Sequence, residues 1–370
     1  MACYAKGWSS IYYFLWSTVG KRNRFLMSNL LFNNALKRVS QKTPPIWFMR
    51  QAGRYHSHYQ NLKKDYSFED LCKNPELAAR TALGPIEDFD FDVSILFSDI
   101  LFPLEALGMS LKYNPGPVFG KFIDHSNFDE LKEVEEAILD LNFQSEALKI
   151  TRDILPKNKS LIGFVGGPWT VASYGTGMNK GISFEGNFRN NFIHKLLTKK
   201  IIPLLKRNIQ LQISSGAEIV MIFDTDAARI GNSKDFSAYS DLIYNDLIKP
   251  FDGRVGFFAK HPFEYNFFIE TINSNEDKTL SGIGFDHTFE ISHWLRKTKG
   301  GFVQGNFNQE ILTRSLDEVK RELDKYIEPI LNLNLSERAG WVCGLGHGIL
   351  KTTPEENVSY FIKTIRENFK

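Results

Sequence analysis

The chain has 370 residues, 45 basic and 43 acidic, for a formal charge of +2. That balance gives no global reason to expect nucleic acid or an anionic membrane as partner, so any preference for an acidic ligand must come from local placement. Its three cysteines, Cys3, Cys72 and Cys343, cannot build a disulfide framework and fit a reducing compartment. No apolar run approaches the roughly 20 residues of a membrane span.

Residues 1–26 hold one short apolar run, 11–16, followed by basic residues. A signal peptide carries its positive charge on the other side. We expect 1–26 to be an extension outside the fold, arising from a mis-assigned start codon, with Met27 as a second start. The stretch after it, "SNLLFNNALKRV", patterns as a helix.

Short apolar runs bounded by glycine or acidic residues then recur, separated by long amphipathic stretches. Strands are expected at 46–49, 93–97, 161–165, 219–223, 255–259, 282–285, 301–303 and 341–343. Between them, "NPELAARTALGPIEDF" has Asn74 as N-cap and Pro75 in the first helical position. "FDELKEVEEAILDLNFQSEALKITRDIL" reads as one long amphipathic helix, and "FIHKLLTKKIIPLLKRNIQLQISSG" stops on Gly216. Five more helical stretches follow. The longest insertion, 101 to about 127, carries the turn-rich "NPGPVFG", suited to covering the mouth of a barrel. Eight strands alternating with helices predict a single-domain (β/α)8 TIM barrel over 27–370. The rival, a doubly wound open sheet, lacks its usual G-x-G-x-x-G after the first strand.

A barrel places its chemistry where strands run into the following loops. In order, those exits read "RQAGR", "SDI", "GGPWTVASY", "DTDAA", "KHP", "DHT", "QGN" and "GLGHG". Arg50 and Arg54 can grip carboxylates or phosphates through charge-assisted pairs, and Gly53 permits close backbone approach. The plainer reading is two structural salt bridges. Asp99 follows "VSILFS" and points into the mouth, where a carboxylate can accept ligand N–H groups or stabilise a developing cation. Its plainer roles are an N-cap or a partner for Arg50. Tyr174 can orient a ligand or sit in the core. Asp224, Thr225 and Asp226 suit acid–base work, a divalent cation shared with Asp99, or structural capping, which is favoured. His347, flanked by Gly344, Gly346 and Gly348, can carry a proton or meet a carboxylate. His56 with His58, and Cys343 with His347, make no recognised metal set. Neither a P-loop nor a pyridoxal lysine motif is present.

Together "PIWFMRQAGRY", "LCKNPELAA", "FDVSILFSDIL", "GPWTVASY" and "GLGHGI" resemble the uroporphyrinogen decarboxylase family over about residues 29–369. The resemblance implies a cofactor-free (β/α)8 barrel, a homodimer in the cytoplasm, without metal. It implies removal of carbon dioxide from four acetate side chains of uroporphyrinogen III, giving coproporphyrinogen III. Its substrate contacts fall on Arg50, Gln51, Ala52, Gly53, Arg54, Asp99, Tyr174, Thr225 and His347, with Phe68 lining the pocket. Asp99 becomes the transition-state stabiliser. Arg50 becomes a second catalytic group, although arginine gives up protons reluctantly. Departures are His56-Ser57-His58 after "GRY", Asp226-Ala227-Ala228 after the fourth strand, His287 in place of a tryptophan, and Asn308 in place of an aspartate. Two rivals remain: a cobalamin-linked methyltransferase of the same superfamily, whose His and two-Cys zinc cluster this chain lacks, and a non-catalytic tetrapyrrole-binding barrel.

Overall fold

The computed structural model describes residues 28–182, 188–230, 233–260, 264–274 and 280–370. The expected extension at 1–26 lies outside these residues. Strand β1 (Val93–Ile95) is followed by a small antiparallel hairpin, β2 (Leu111–Tyr113) and β3 (Pro117–Phe119). Then come β4 (Ser160–Gly166), β5 (Val220–Phe223), β6 (Val255–Phe258), β7 (Gly282–Gly284), β8 (Phe302–Phe307) and β9 (Trp341–Leu345). Apart from the hairpin they form one curled, seven-stranded parallel sheet, in the order β1-β4-β5-β6-β7-β8-β9. Seven of the eight expected strands are therefore found.

The eighth, 46–49, is corrected. It makes a single parallel bridge, Ile46 to Cys343. The Trp47 N–H donates to the Cys343 carbonyl (3.2 Å) and the Cys343 N–H to the Pro45 carbonyl (2.9 Å). On its other side the Asp92 N–H donates to the Ile46 carbonyl (3.0 Å), and the Ile46 N–H donates to the Asp92 carboxylate (2.8 Å). The segment thus lies between β9 and β1 without a ladder to either. Arg50, at φ +61°, turns the chain away before a longer ladder can form.

Parallel strands buried on both faces need apolar side chains on both. One face, inside the curl, packs Trp47, Ile162, Met221, Phe258, Phe302 and Val342. The helix Leu30–Leu36 closes the lower end of this interior with Phe32 and Ala35. The other face, including Leu161, Val220 and Phe257, packs under the surrounding helices. Truncating a ring such as Phe258, fully buried, costs about 3–5 kcal/mol.

Two helix expectations change. The stretch from Phe128 is broken into a 3-10 turn (Phe128–Glu130), a short helix (Val134–Ala137), a second 3-10 turn (Ile138–Leu141) and the helix Asn142–Ile154. The stretch from Phe192 does run on to Ser214, but through a π turn, Leu197–Ile201, just before Pro203. Proline has no N–H for the regular ladder, so a wider turn there has a local cause. The Asn74 cap forms as expected, its side chain accepting the Leu77 N–H (3.0 Å).

Candidate active site

Beyond the C-terminal ends of the strands, Arg50, Asp99, Tyr174, Lys260, Asp286 and His347 lie close enough to act on one another electrostatically, and they define a polar mouth. The fifth exit is described only to Lys260; His261 and Pro262 of "KHP" lie outside the described residues. At the first exit Arg50 and Arg54 are exposed, and neither forms an ion pair or side-chain hydrogen bond among the described residues. The expected alternative of two structural salt bridges is absent there. The Arg50 guanidinium acts electrostatically on Asp99, Tyr174 and His347, so four sequence-distant groups share one space.

Asp99 is half-buried beyond β1, and its Oδ1 accepts the Leu101 N–H (2.9 Å). Burial raises its carboxyl above the ordinary range; the Leu101 N–H, the Tyr113 hydroxyl and Arg50 oppose that rise. Tyr174, in the helix Pro168–Thr176, is half-buried, and its hydroxyl is pushed up by burial and then by Asp226. His347 follows β9. Burial, then Lys260 and Arg50, lower its pKa to about 3, which leaves a neutral imidazole at pH 7. Thr225 is half-buried at the exit of β5, with its hydroxyl uncommitted to any described residue. Phe68 opens the helix Phe68–Lys73 and packs edge-on against Phe97 (6.1 Å) and Tyr113 (4.8 Å), a wall beside Asp99.

The side chains of Gln51, Asp224 and Asp226 are hydrogen-bonded to the scaffold. Gln51 is buried; its Nε2 donates to the Val93 carbonyl (2.9 Å) and its Oε1 accepts the Phe48 N–H (3.2 Å). This fixes the first loop to β1. Ala52 and Gly53 are half-buried in the same bend. Asp224 is fully buried and accepts the Thr170 N–H (2.8 Å), the Thr170 hydroxyl (2.7 Å) and the Tyr239 hydroxyl. Burial nevertheless raises its carboxyl to about 6. Asp226 accepts the Ser173 hydroxyl (2.8 Å). The capping reading therefore fits Asp224, while Asp226 bonds a mid-helix hydroxyl; together they pin the third exit to the fourth.

His56 and His58 belong behind the mouth. His56 is fully buried, 2.7 Å from Asp88, in a stack with Tyr55 and His58. His58 sits over Gly84, where a Cβ would come within 2.5 Å of its ring. The pair locks the helix Ser57–Asp65 to the helix Pro75–Phe89. The glycines of "GLGHG" do allow close approach, to protein atoms: a Cβ on Gly348 would lie 2.5 Å from Arg50 Cδ. Gly348 thus leaves room for the Arg50 side chain. Asn308 caps its own turn, accepting the Glu310 N–H (2.9 Å).

Two participants were not anticipated. Lys260, exposed after β6, bears electrostatically on His347; the sequence signal was its place at a strand exit. Tyr113, in the hairpin, reaches Asp99; no local signal marks it, because a turn-rich insertion does not reveal which side chain it turns inward. Among the described residues, no three His, Cys, Asp or Glu side chains gather as metal ligands.

Residues 27–368 match the sequence model of the uroporphyrinogen decarboxylase (URO-D) family. A uroporphyrinogen decarboxylase of Francisella philomiragia subsp. philomiragia is 33% identical over 354 residues, 91% of this chain and 98% of the relative. Another, of Orientia tsutsugamushi, is 34% identical over 335 residues, 87% of this chain and 94% of the relative. Among solved structures, a methyltransferase from Methanosarcina mazei superposes with a TM-score of 0.65 at 17% identity, covering 93% of this chain and 100% of that one. At that identity the likeness concerns the fold alone. The sequence matches reach further, and on them the chain belongs to the uroporphyrinogen decarboxylase family.

Proposed function

We propose that this chain is a carboxy-lyase that converts uroporphyrinogen III to coproporphyrinogen III, turning four acetate arms into methyl groups with release of carbon dioxide. Family membership supports the reaction. The observation that carries the site is an exposed arginine, Arg50, without an ion-pair partner among the described residues, acting on the half-buried carboxylate of Asp99.

Breaking the bond between the arm and its carboxylate leaves an electron pair on carbon, which needs a sink. A pyrrole protonated on a ring carbon is such a sink, supplied by the substrate. The bond electrons flow into that cationic ring as carbon dioxide leaves. A proton then adds to the exocyclic carbon and the ring proton departs, so each cycle replaces one carboxylate by one proton. Asp99, fixed before the reaction, accepts the pyrrole N–H groups and stabilises the cation that forms there. Arg50 and Arg54 hold peripheral carboxylates. Arg50, beside Asp99, also acts at the reacting arm. Tyr174, Thr225 and neutral His347 orient the remaining arms, and Phe68 lines the pocket. The substrate's many carboxylates match a mouth that also presents Lys260.

We further infer that the segment at 46–49 completes an eight-stranded (β/α)8 barrel, since it lies hydrogen-bonded between β9 and β1. The working form is a cytoplasmic homodimer. No helix among the described residues is long and apolar enough to cross a membrane.

The test is anaerobic incubation with uroporphyrinogen III, then oxidation and chromatography of the porphyrins. Products with seven down to four carboxyl groups are expected. Binding without any such product would leave a tetrapyrrole-binding barrel and overturn the decarboxylase reading.

A further inference from the structure

Tyr113 stands at the end of β2, held on three sides. Its N–H donates to Glu69 (3.3 Å), its ring packs edge-on against Phe68 (4.8 Å), and Phe102 lies 6.1 Å away. Phe102 is only three residues from Asp99, so the same wedge fixes both partners. The Tyr113 hydroxyl is shut off from solvent and has no hydrogen-bond partner meeting normal geometry among the described residues. An orphaned buried hydroxyl is costly and calls for an explanation. Its neighbour supplies one. Asp99 uses one oxygen for the Leu101 N–H, and no described group donates to its second oxygen in normal geometry, although the Tyr113 hydroxyl is near enough to act on the carboxyl. A donor without a partner in normal geometry thus lies near an acceptor that it influences. Catalytic hydrogen bonds are often long in an empty site and tighten when it fills.

We propose that Tyr113 is a positioning residue for Asp99: as the macrocycle fills the mouth, the phenol donates to the free carboxylate oxygen and keeps Asp99 ionised and aimed at the pyrrole nitrogens. This rests on the decarboxylase reading above. The groups facing Asp99 are Arg50, Tyr113, Tyr174 and the Cys72 thiol. Those facing the phenol are Asp99, Cys72 and Glu105, and Glu105 is paired with Lys73 (2.7 Å). Arg50 and Tyr113 are the two side chains opposing the upward push of burial on Asp99, and only Tyr113 is locked in place by aromatic packing. Its own hydroxyl is pushed far up by burial and by the Asp99 charge, so it stays a donor.

The test is Tyr113→Phe in the full chain, which keeps the ring and removes only the hydroxyl. With uroporphyrinogen III under anaerobic conditions, kcat should fall about tenfold while KM changes less than about twofold. The acidic limb of the rate profile should move to higher pH. Independently of turnover, the carbon-13 titration of the Asp99 carboxyl, followed with coproporphyrin III bound in the mouth, should move in the same direction. An unmoved titration would overturn the proposal, even with a slower enzyme, because it would make Tyr113 a packing residue. An unchanged kcat would overturn it as well. A wild-type chain that yields no product would strike the decarboxylase reading instead, and the Asp99 titration would still decide whether the phenol acts on it.

Discussion

Two loops of the mouth each carry a pair of like charges, and the fold treats them in opposite ways. At the first exit, Arg50 and Arg54 stand exposed without an ion-pair partner among the described residues. At the fourth, Asp224 and Asp226 are answered by Thr170, Tyr239 and Ser173. A carboxylate whose oxygens already accept scaffold hydrogen bonds has less capacity left for a ligand. An arginine left open is a standing invitation to an anion, at modest expense because water still solvates it. The comparison separates gripping residues from holding residues without appeal to residue type. Asp99 falls between them: half-buried like a scaffold group, yet only partly answered, by one backbone N–H.

The sharpest break would come at Asp99. Asp99→Ala should lower kcat by at least about 10²–10³-fold, the scale of removing one preorganised electrostatic group. The melting temperature should change little. Substantial retained turnover would remove Asp99 from the chemistry.

Asp224→Ala should do the reverse. It strands the Thr170 N–H and hydroxyl and the Tyr239 hydroxyl in a buried site, and should destabilise by about 3 kcal/mol. Thermal or urea unfolding measures this. A stable variant with poor activity would place Asp224 among the gripping residues and undo the contrast.

Arg54→Ala should raise KM about tenfold with little change in folding, as expected for one charge-assisted contact to a substrate carboxylate. Equal KM and kcat to wild type would leave Arg54 as an ordinary surface charge.

The smallest effect lies at the opposite end of the sheet, where Glu218 accepts the Ser160 hydroxyl (2.8 Å) and the Leu161 N–H (3.1 Å). Burial raises its carboxyl from 4.5 to about 7 despite Arg152. Here the folded state holds its proton longer than the unfolded state. Glu218 therefore subtracts stability progressively as pH rises from about 4.5 to about 7. Glu218→Gln should flatten the melting temperature across that window by a few degrees. An unaltered slope would show that the side chain titrates normally.

Much of the fold was legible because periodicity is local. Seven strands, the Asn74 cap and the helix ending near Gly216 each follow from residues within one or two turns of one another. The segment 46–49 looked like a strand for the same reason, being apolar and short, but its ladder depends on edges supplied by β1 and β9, far along the chain. The 128–154 stretch reads as one amphipathic helix, yet tertiary packing divides it. The histidines of "HSH" gave no clue to their role. His56 meets Asp88, 32 positions on, and His58 lies against Gly84.

The sequence by itself determined the alternation of elements, the polar character of the strand exits and, through "MRQAGRY" and "ILFSDIL", the family. Only the tertiary structure decided which of those polar groups are open. Whether a charged group is tied down depends on its partners, and the partners are remote: Thr170 bonds Asp224 across 54 positions, while no described residue forms an ion pair or side-chain hydrogen bond with Arg50 or Arg54. It also brought Tyr113 from a hairpin to Asp99. Charge and hydrogen-bonding capacity are written in the side chain, but whether they are spent depends on what the folded chain places within about 3 Å of them.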